Sequence, residues 1–167
     1  ENGPYIIRYP RGYGEGVQWK EADYQKMETG VGELLLEGEK VAVLAAGPFA
    51  YRAVEAAEKF RQENGWNPTI YNIRYIKPLD QNIMKAVCAG YDRVVTIEDG
   101  SLVGGLYGAV TEYISSQERP IPVKGVGIPD RYISQGTQEE LREECGLTLD
   151  EILRVFQEEC NFFMKKD

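Results

Sequence analysis

Histidine is missing from all 167 residues. A Ser-His-Asp or Cys-His centre, a His-ligated metal and imidazole acid–base chemistry are therefore excluded within this chain. Cysteine is scarce. Cys88, Cys145 and Cys160 are widely spaced, odd in number and never arranged as C-x-x-C. Neither a zinc knuckle nor a redox pair is indicated, and reduced structural thiols in a cytoplasmic protein are expected. Positive charge is also in deficit, with 19 basic against 27 acidic residues and a net charge of −8. That excludes a general nucleic-acid surface, which needs clustered Lys and Arg to neutralise phosphates. No apolar run approaches the roughly 20 residues of a membrane span. No internal repeat, low-complexity stretch, G-x-x-x-x-G-K-[ST] loop or G-x-G-x-x-G loop is found. An initiator Met is absent too: the chain opens Glu1-Asn2-Gly3 and reads as a piece of something longer.

What is present suits one globular domain. Apolar residues make up 43% and charged residues 28%, and a chain of this length buries roughly 70% of its unfolded surface. Tyr5 to Arg8 reads as a short strand ended by Tyr9-Pro10, since proline cannot donate to a ladder. Residues 12–32, dotted with glycine among charges, read as a long connection. A short strand over Glu33–Leu36 precedes the continuous apolar run Val41 to Ala46, the pattern of a strand buried on both faces. Gly47-Pro48 then opens a helix that Asn64-Gly65 stops.

Thr69 to Tyr75 reads as the next strand, and Asp80 as the N-cap of a helix carrying Ile83, Met84 and Val87. Arg93 to Ile97 is a strand. A helix from about Gly104 to Ser116 would bury Leu106, Val110 and Ile114. Pro122 to Val126 is the last strand, and two helices close the chain. Thr137-Gln-Glu-Glu140 opens the first as a capping box, and Thr148-Leu-Asp-Glu151 repeats the device for the second. Strands alternating with helices predict an α/β fold: a three-layer, mostly parallel sheet of five or so strands with helices on both faces. Ligands of such sheets bind beyond the carboxyl ends of the strands.

Four features bear on chemistry. Arg11 stands on a turn just past a strand end, and its planar guanidinium matches phosphate or carboxylate oxygens. The alternative is a solvated turn arginine, and spacing alone favours it. Arg8 suits either an ion pair inside the domain or a subunit contact. Gly104-Gly105-x-x-Gly108 reads as close helix–strand packing before anion binding or a subunit contact. Glu98 and Asp99 are adjacent on an extended chain and so face opposite ways. Glu98 alone is therefore the candidate, as an orienting or capping group.

The landmarks together resemble a known family. Gly3-Pro4-Tyr5-Ile6-Ile7-Arg8-Tyr9-Pro10-Arg11-Gly12 is similar to the start of the C-terminal domain of 1-deoxy-D-xylulose-5-phosphate synthases. Arg74-Tyr75-Ile76-Lys77-Pro78-Leu79-Asp80, Val95-Thr96-Ile97-Glu98-Asp99-Gly100 and Gly104-Gly105-x-x-Gly108 follow in that family's order. Gly127-Ile128-Pro129-Asp130 and Gln135-Gly136-Thr137-Gln138-Glu139-Glu140-Leu141 complete it. The Lys-Pro-Leu-Asp and glycine segments are shared with transketolases and 2-oxoacid dehydrogenase β subunits. The Tyr-Pro-Arg-Gly stretch and the Gln-Gly-Thr tail point to the synthases. Asp99 departs from the family's frequent second glutamate, and Ser101-Leu102 from its Asn-rich stretch.

The resemblance implies a domain of a thiamine-diphosphate and Mg2+ enzyme that joins pyruvate to glyceraldehyde 3-phosphate with loss of CO2. Cofactor and catalytic groups would belong to the N-terminal and central domains of the same polypeptide, leaving no catalytic residue here. Arg11 would bind the aldehyde's phosphate, with Tyr9 and Glu98 as supporting positions, and the domain would contribute to a homodimer. Residues 1–32 would form a leading strand and connection, 33–130 the α/β core and 131–167 the C-terminal helices. The isolated chain is expected to bind no cofactor and to be inactive. A transketolase or dehydrogenase β-subunit domain, or a module for assembly only, are the alternative readings.

Overall fold

The computed structural model describes residues 3, 4, 6 and 26–164, less the side chains of residues 161, 162 and 164. Five strands form one sheet in the order β1-β3-β2-β4-β5, with β1 at Glu33–Leu36, β2 at Val41–Ala45, β3 at Thr69–Asn72, β4 at Arg93–Ser101 and β5 at Val123–Ile128. β2 pairs in parallel with β3 and β4, and β4 with β5; only β1 runs antiparallel, against β3. Helices α1 (Phe49–Asn64), α2 (Gln81–Gly90), α3 (Leu106–Ser115), α4 (Gln138–Glu144) and α5 (Leu149–Met164) complete the described chain. The mostly parallel α/β sheet expected from the sequence is what is observed. The strand expected over Tyr5–Arg8 lies, Ile6 apart, outside the described residues.

All five residues of β2 are buried, because the strand is central and covered on both faces. Its pleat divides the interior. Val41, Val43 and Ala45 enter one core with Phe49, Phe60 and Phe156 of α1 and α5. Ala42 and Leu44 enter the other, with Met84 and Val87 of α2 and Leu106, Val110 and Ile114 of α3. Consecutive side chains of a strand point to opposite faces, so one short segment holds two layers apart.

The ends of the elements follow local chemistry. Gly65 adopts a left-handed conformation (φ 78°) that stops α1, and its N–H bonds the Arg61 carbonyl at 2.8 Å. At α4, Thr137 and Glu140 form the reciprocal capping box. At α5 the Thr148 hydroxyl accepts from the Glu151 N–H, while the Glu151 carboxylate pairs with Arg154.

Three strands differ in extent from the sequence expectation. β3 ends at Asn72 rather than Tyr75, where the chain turns into Lys77-Pro78. β4 continues through Glu98-Asp99-Gly100 to Ser101, which pairs with Ile128 across an irregularity in register. β5 likewise runs on through Gly125 and Gly127. A Cβ at Gly125 would lie 2.7 Å from the Tyr107 ring, and one at Gly127 3.0 Å from both Glu98 and Leu102. The glycines that resemble a strand end are thus the means by which α3 presses onto the sheet.

Candidate functional site

The helix after β2 (α1) packs on one face and the helix after β4 (α3) on the other. Adjacent strands whose helices leave to opposite faces open a crevice beyond their carboxyl ends, the usual ligand position in open α/β sheets. The edge is built from residues 46–48 after β2, 73–80 after β3, the end of β4 with residues 102–105, and 129–136 after β5. The residues ahead of β1 reach the same edge, since Glu33 stands opposite Asn72, the last residue of β3.

Glu98 sits in the middle of this edge, buried at 3% exposure. Its carboxylate accepts from the Leu106 N–H at 2.8 Å and the Tyr107 N–H at 2.9 Å. These are the first unsatisfied donors of α3, and a negative group is favoured there by the helix dipole. The glycine segment before α3 therefore makes room for an anion that the chain itself supplies. A Cβ on Gly105 would lie 2.2 Å from Glu98 Oε2. Packing explains Gly105, and a left-handed turn (φ 77°) explains Gly104, whereas a Cβ on Gly108 would meet only the Leu102 carbonyl oxygen, at 3.9 Å.

Asp80 holds the other side of the edge together. One carboxylate oxygen accepts from the Asn82 and Ile83 N–H groups at 2.8 and 3.0 Å, capping α2. The other accepts from the Gly32 N–H at 2.8 Å, ahead of β1. Burial by itself would raise this carboxyl's pKa, but the three backbone donors outweigh it and hold the pKa below the ordinary carboxylate value. The space around Gly32 admits no side chain: a Cβ there would lie 2.6 Å from Ile83 and 3.0 Å from the Asn72 carbonyl. Asp80 in the Lys-Pro-Leu-Asp segment is thus a splice between α2 and the start of β1.

The cations of this edge are mostly committed. Arg74 bonds Glu33 at 2.5 Å, and Arg131 bonds Glu144 of α4 at 2.7 Å. Beyond β4 and β5 an open depression of about 430 Å³ is lined by Ser101, Ile128, Pro129, Asp130, Arg131 and Tyr132. Sequence reasoning singled out neither Arg74 nor Arg131. Arg74 falls inside the strand expected over Thr69–Tyr75 and Arg131 five residues beyond the one expected to end at Val126, so the pattern that marks Arg11 does not mark them; the observed strands end at Asn72 and Ile128. Arg11, Tyr9 and Arg8 lie outside the described residues.

The described residues do not fit thiamine diphosphate or its metal ion. No group of three or more His, Cys, Asp or Glu side chains comes together among them. The glycine-flanked helix start that could cradle a diphosphate is filled by Glu98. No described helix is long and apolar enough to cross a membrane.

A central strand buried on both faces, with the crevice beside it walled by an internally capped helix, defines an open, mostly parallel α/β domain. Residues 30–152 match the family model for the transketolase C-terminal domain, and the chain belongs to that family. It is 37% identical to a 1-deoxy-D-xylulose-5-phosphate synthase of Phocaeicola vulgatus over 155 residues, covering 93% of this chain and 24% of that protein. The synthase of Vibrio vulnificus is 41% identical over 145 residues, covering 87% and 22%. That of Bacteroides thetaiotaomicron is 35% identical over 160 residues, covering 96% and 25%. The chain thus spans about a quarter of the length of these relatives. Among solved structures, a split-gene transketolase described as an inactive beta4 tetramer superposes with a TM-score of 0.74 at 33% identity, over 82% of this chain and 44% of that one. The transketolase of Leishmania mexicana shares the fold, with a TM-score of 0.58 at 17% identity over 79% and 18%.

Proposed function

We propose that the chain is the C-terminal domain of a 1-deoxy-D-xylulose-5-phosphate synthase, which condenses pyruvate with glyceraldehyde 3-phosphate and releases CO2. The observation that carries this reading is identity of 35–41% to synthases across nearly the whole chain. The alignment over 160 of the 167 residues includes position 11, ahead of the family-model match at residues 30–152. Residues 1–167 act as one domain of a longer cytoplasmic polypeptide that assembles as a homodimer.

In this reading the domain binds and orients rather than reacts. Arg11 anchors the phosphate of the aldehyde substrate through charge-assisted hydrogen bonds, with Tyr9 beside it. Glu98 supports the site indirectly, by fixing the start of α3 and the loop before it. Thiamine diphosphate and Mg2+ belong to the N-terminal and central domains, as do the catalytic groups. A transketolase subunit is the second reading, favoured by the likeness to the split-gene transketolase.

Assay of the longer polypeptide that carries this chain separates the two. The synthase reading requires 1-deoxy-D-xylulose 5-phosphate from pyruvate and glyceraldehyde 3-phosphate, with no ketol transfer from a sugar-phosphate donor. Ketol transfer without pyruvate turnover would overturn it. Calorimetric titration of thiamine diphosphate into the 167-residue chain should give no saturable binding, and a clear isotherm would overturn the proposed division of labour.

A further inference from the structure

The chain between β5 and the buried Leu147 holds its shape without a core. No residue from Asp130 to Gly146 is buried. Helix α4, in its middle, is the one described helix without a buried side chain. The bonds that shape this segment are internal. Arg131 pairs with Glu144 at 2.7 Å and draws its two ends together. Thr137 and Glu140 cap α4, and the turn at Gly136 folds back on it, since a Cβ there would lie 3.0 Å from the Glu140 carboxylate. At the far end the Gly146 and Leu147 N–H groups bond the Glu143 and Arg142 carbonyls, with Gly146 left-handed at φ 68°. A segment that keeps its own shape while burying little is a low-stability unit on a more stable body.

Its path gives it a place to act. It leaves β5 at Ile128, whose carbonyl accepts from the Leu102 N–H at 3.0 Å, and ends where Leu147 enters the larger core. Between these anchors Asp130, Arg131 and Tyr132 line an open depression with Ser101 and Ile128 rather than packing down on the sheet. Farther on, Cys145 lies near the end of β4. Burial chiefly raises its thiol pKa, the charges of Glu144 and Asp99 add to the rise, and Arg131 opposes it. Arg142 reaches the start of α1, after β2, with its guanidinium 5.9 Å from the centre of the Phe49 ring. Phe49 is 1% exposed, with Arg142 on it from the segment and Arg52 from α1 itself. The segment therefore runs from β5 past β4 to β2, across the carboxyl ends that border the crevice.

We propose that residues 130–146 are a strap that opens and closes as one piece over the crevice between β2 and β4, with Arg142 on Phe49 as its latch. A cation held over an aromatic ring at a partly exposed site stabilises only weakly. The strap adds no buried side chain to that contact. Such a latch gives way far more often than the whole domain unfolds. Opening keeps the Arg131–Glu144 pair and the capped start of α4, because both belong to the strap. It uncovers Cys145, Phe49 and the first turn of α1 on the wall of the crevice. The strap is a property of this chain's own fold, so it goes beyond the synthase reading and does not depend on it.

Thiol and amide exchange of the native, full 167-residue chain tests it. Alkylation by iodoacetamide reads how often Cys145 is uncovered. Hydrogen exchange reads whether α4 stays intact, through the Leu141 and Cys145 N–H groups bonded to the Thr137 and Leu141 carbonyls. Arg142→Ala should speed alkylation of Cys145 about threefold, the size of a partly exposed cation–ring contact. Cys88 on α2 should keep its rate, and Arg142→Lys should restore most of the parent rate at Cys145. Phe49→Leu, which removes the ring from the other side, should reproduce the acceleration, with circular dichroism showing that each variant is folded. The two amides should keep their protection throughout. Alkylation of Cys145 that is indifferent to both Arg142 and Phe49 would overturn the proposal. So would equal acceleration of thiol and amides, which means that α4 unfolds rather than lifts, or labelling of Cys145 only together with Cys160.

Discussion

The carboxylate of Glu98 fills the space that a side chain on Gly105 would need: a Cβ there would fall 2.2 Å from Glu98 Oε2 and 2.2 Å from the Ser101 carbonyl oxygen. Neither neighbour is free to give way, since one is backbone and the other is bound to the first N–H groups of α3. Gly105→Ala should therefore destabilise the domain by about 2–3 kcal/mol, combining overpacking with loss of the cap. Glu98→Gln keeps one acceptor but turns an amide donor toward a backbone donor, for a loss of about 1–2 kcal/mol. Urea denaturation followed by circular dichroism measures both. Equal stability of Gly105→Ala and the parent chain would contradict the packing described.

Acid should weaken the splice at Asp80. Its folded pKa is held below the unfolded value, by three backbone donors that outweigh burial. Its contribution is therefore fully present above the unfolded carboxylate pKa and is lost as pH falls through the lower, folded one. Asp80→Ala should cost about 2–3 kcal/mol at neutral pH, the sum of an N-cap and a buried bond to Gly32. Stability of the parent and the variant should converge on acidification. A cost that is the same at pH 7 and well below the folded pKa would exclude the ionised carboxylate as its source.

The three thiols should react in an order set by access. Burial first, then the nearby Glu159 against a small opposing effect of Lys40, pushes the Cys160 thiol up to about 12. Cys88 and Cys145 are half-buried and raised chiefly by burial as well. Alkylation at pH 8, followed by mass spectrometry, should label these two first and Cys160 only once denaturant unfolds α5. Labelling of Cys160 at the same rate in native protein would mean that α5 opens readily from α1.

In the longer enzyme, Arg11→Ala should raise KM for glyceraldehyde 3-phosphate while sparing that for pyruvate. Loss of a charge-assisted pair of bonds corresponds to about 2–3 kcal/mol, or roughly 30- to 150-fold. Steady-state kinetics with each substrate varied in turn reads this. Equal weakening for both substrates would assign Arg11 a general structural role.

Much of the fold was legible because its signals are local. The Thr137 box and the Asp80 cap each span four residues, and the unbroken apolar run of β2 announces burial on both faces. The errors occur where a distant partner decides. β5 reads as ending at Val126 because glycine disfavours strands, yet it runs on through Gly127 to Ile128, with Gly125 already inside it. Tyr107 and Glu98, from other elements, leave no room there for a larger residue. β4 reads as ending at Ile97, but pairing with Ile128 carries it to Ser101. Glu98 was recognisable as a capping group, whereas its target eight residues downstream and the second bond of Asp80 to Gly32 depend on tertiary folding. Arg11 was legible only as a cation past an expected strand end, whereas Arg74 and Arg131 come to stand near strand ends only where the observed β3 and β5 stop, at Asn72 and Ile128.

The pleat of β2 has a consequence for mutagenesis. Val43 and Leu44 are consecutive, yet their side chains belong to different cores with no described helix in common. Substitutions at Val43 and Leu44 should therefore combine almost additively, despite a shared peptide bond. Val43 changed together with Phe156 should not, because both fill the same core. Each layer can be redesigned while the other is left as a reference, with five residues of backbone as the partition between them.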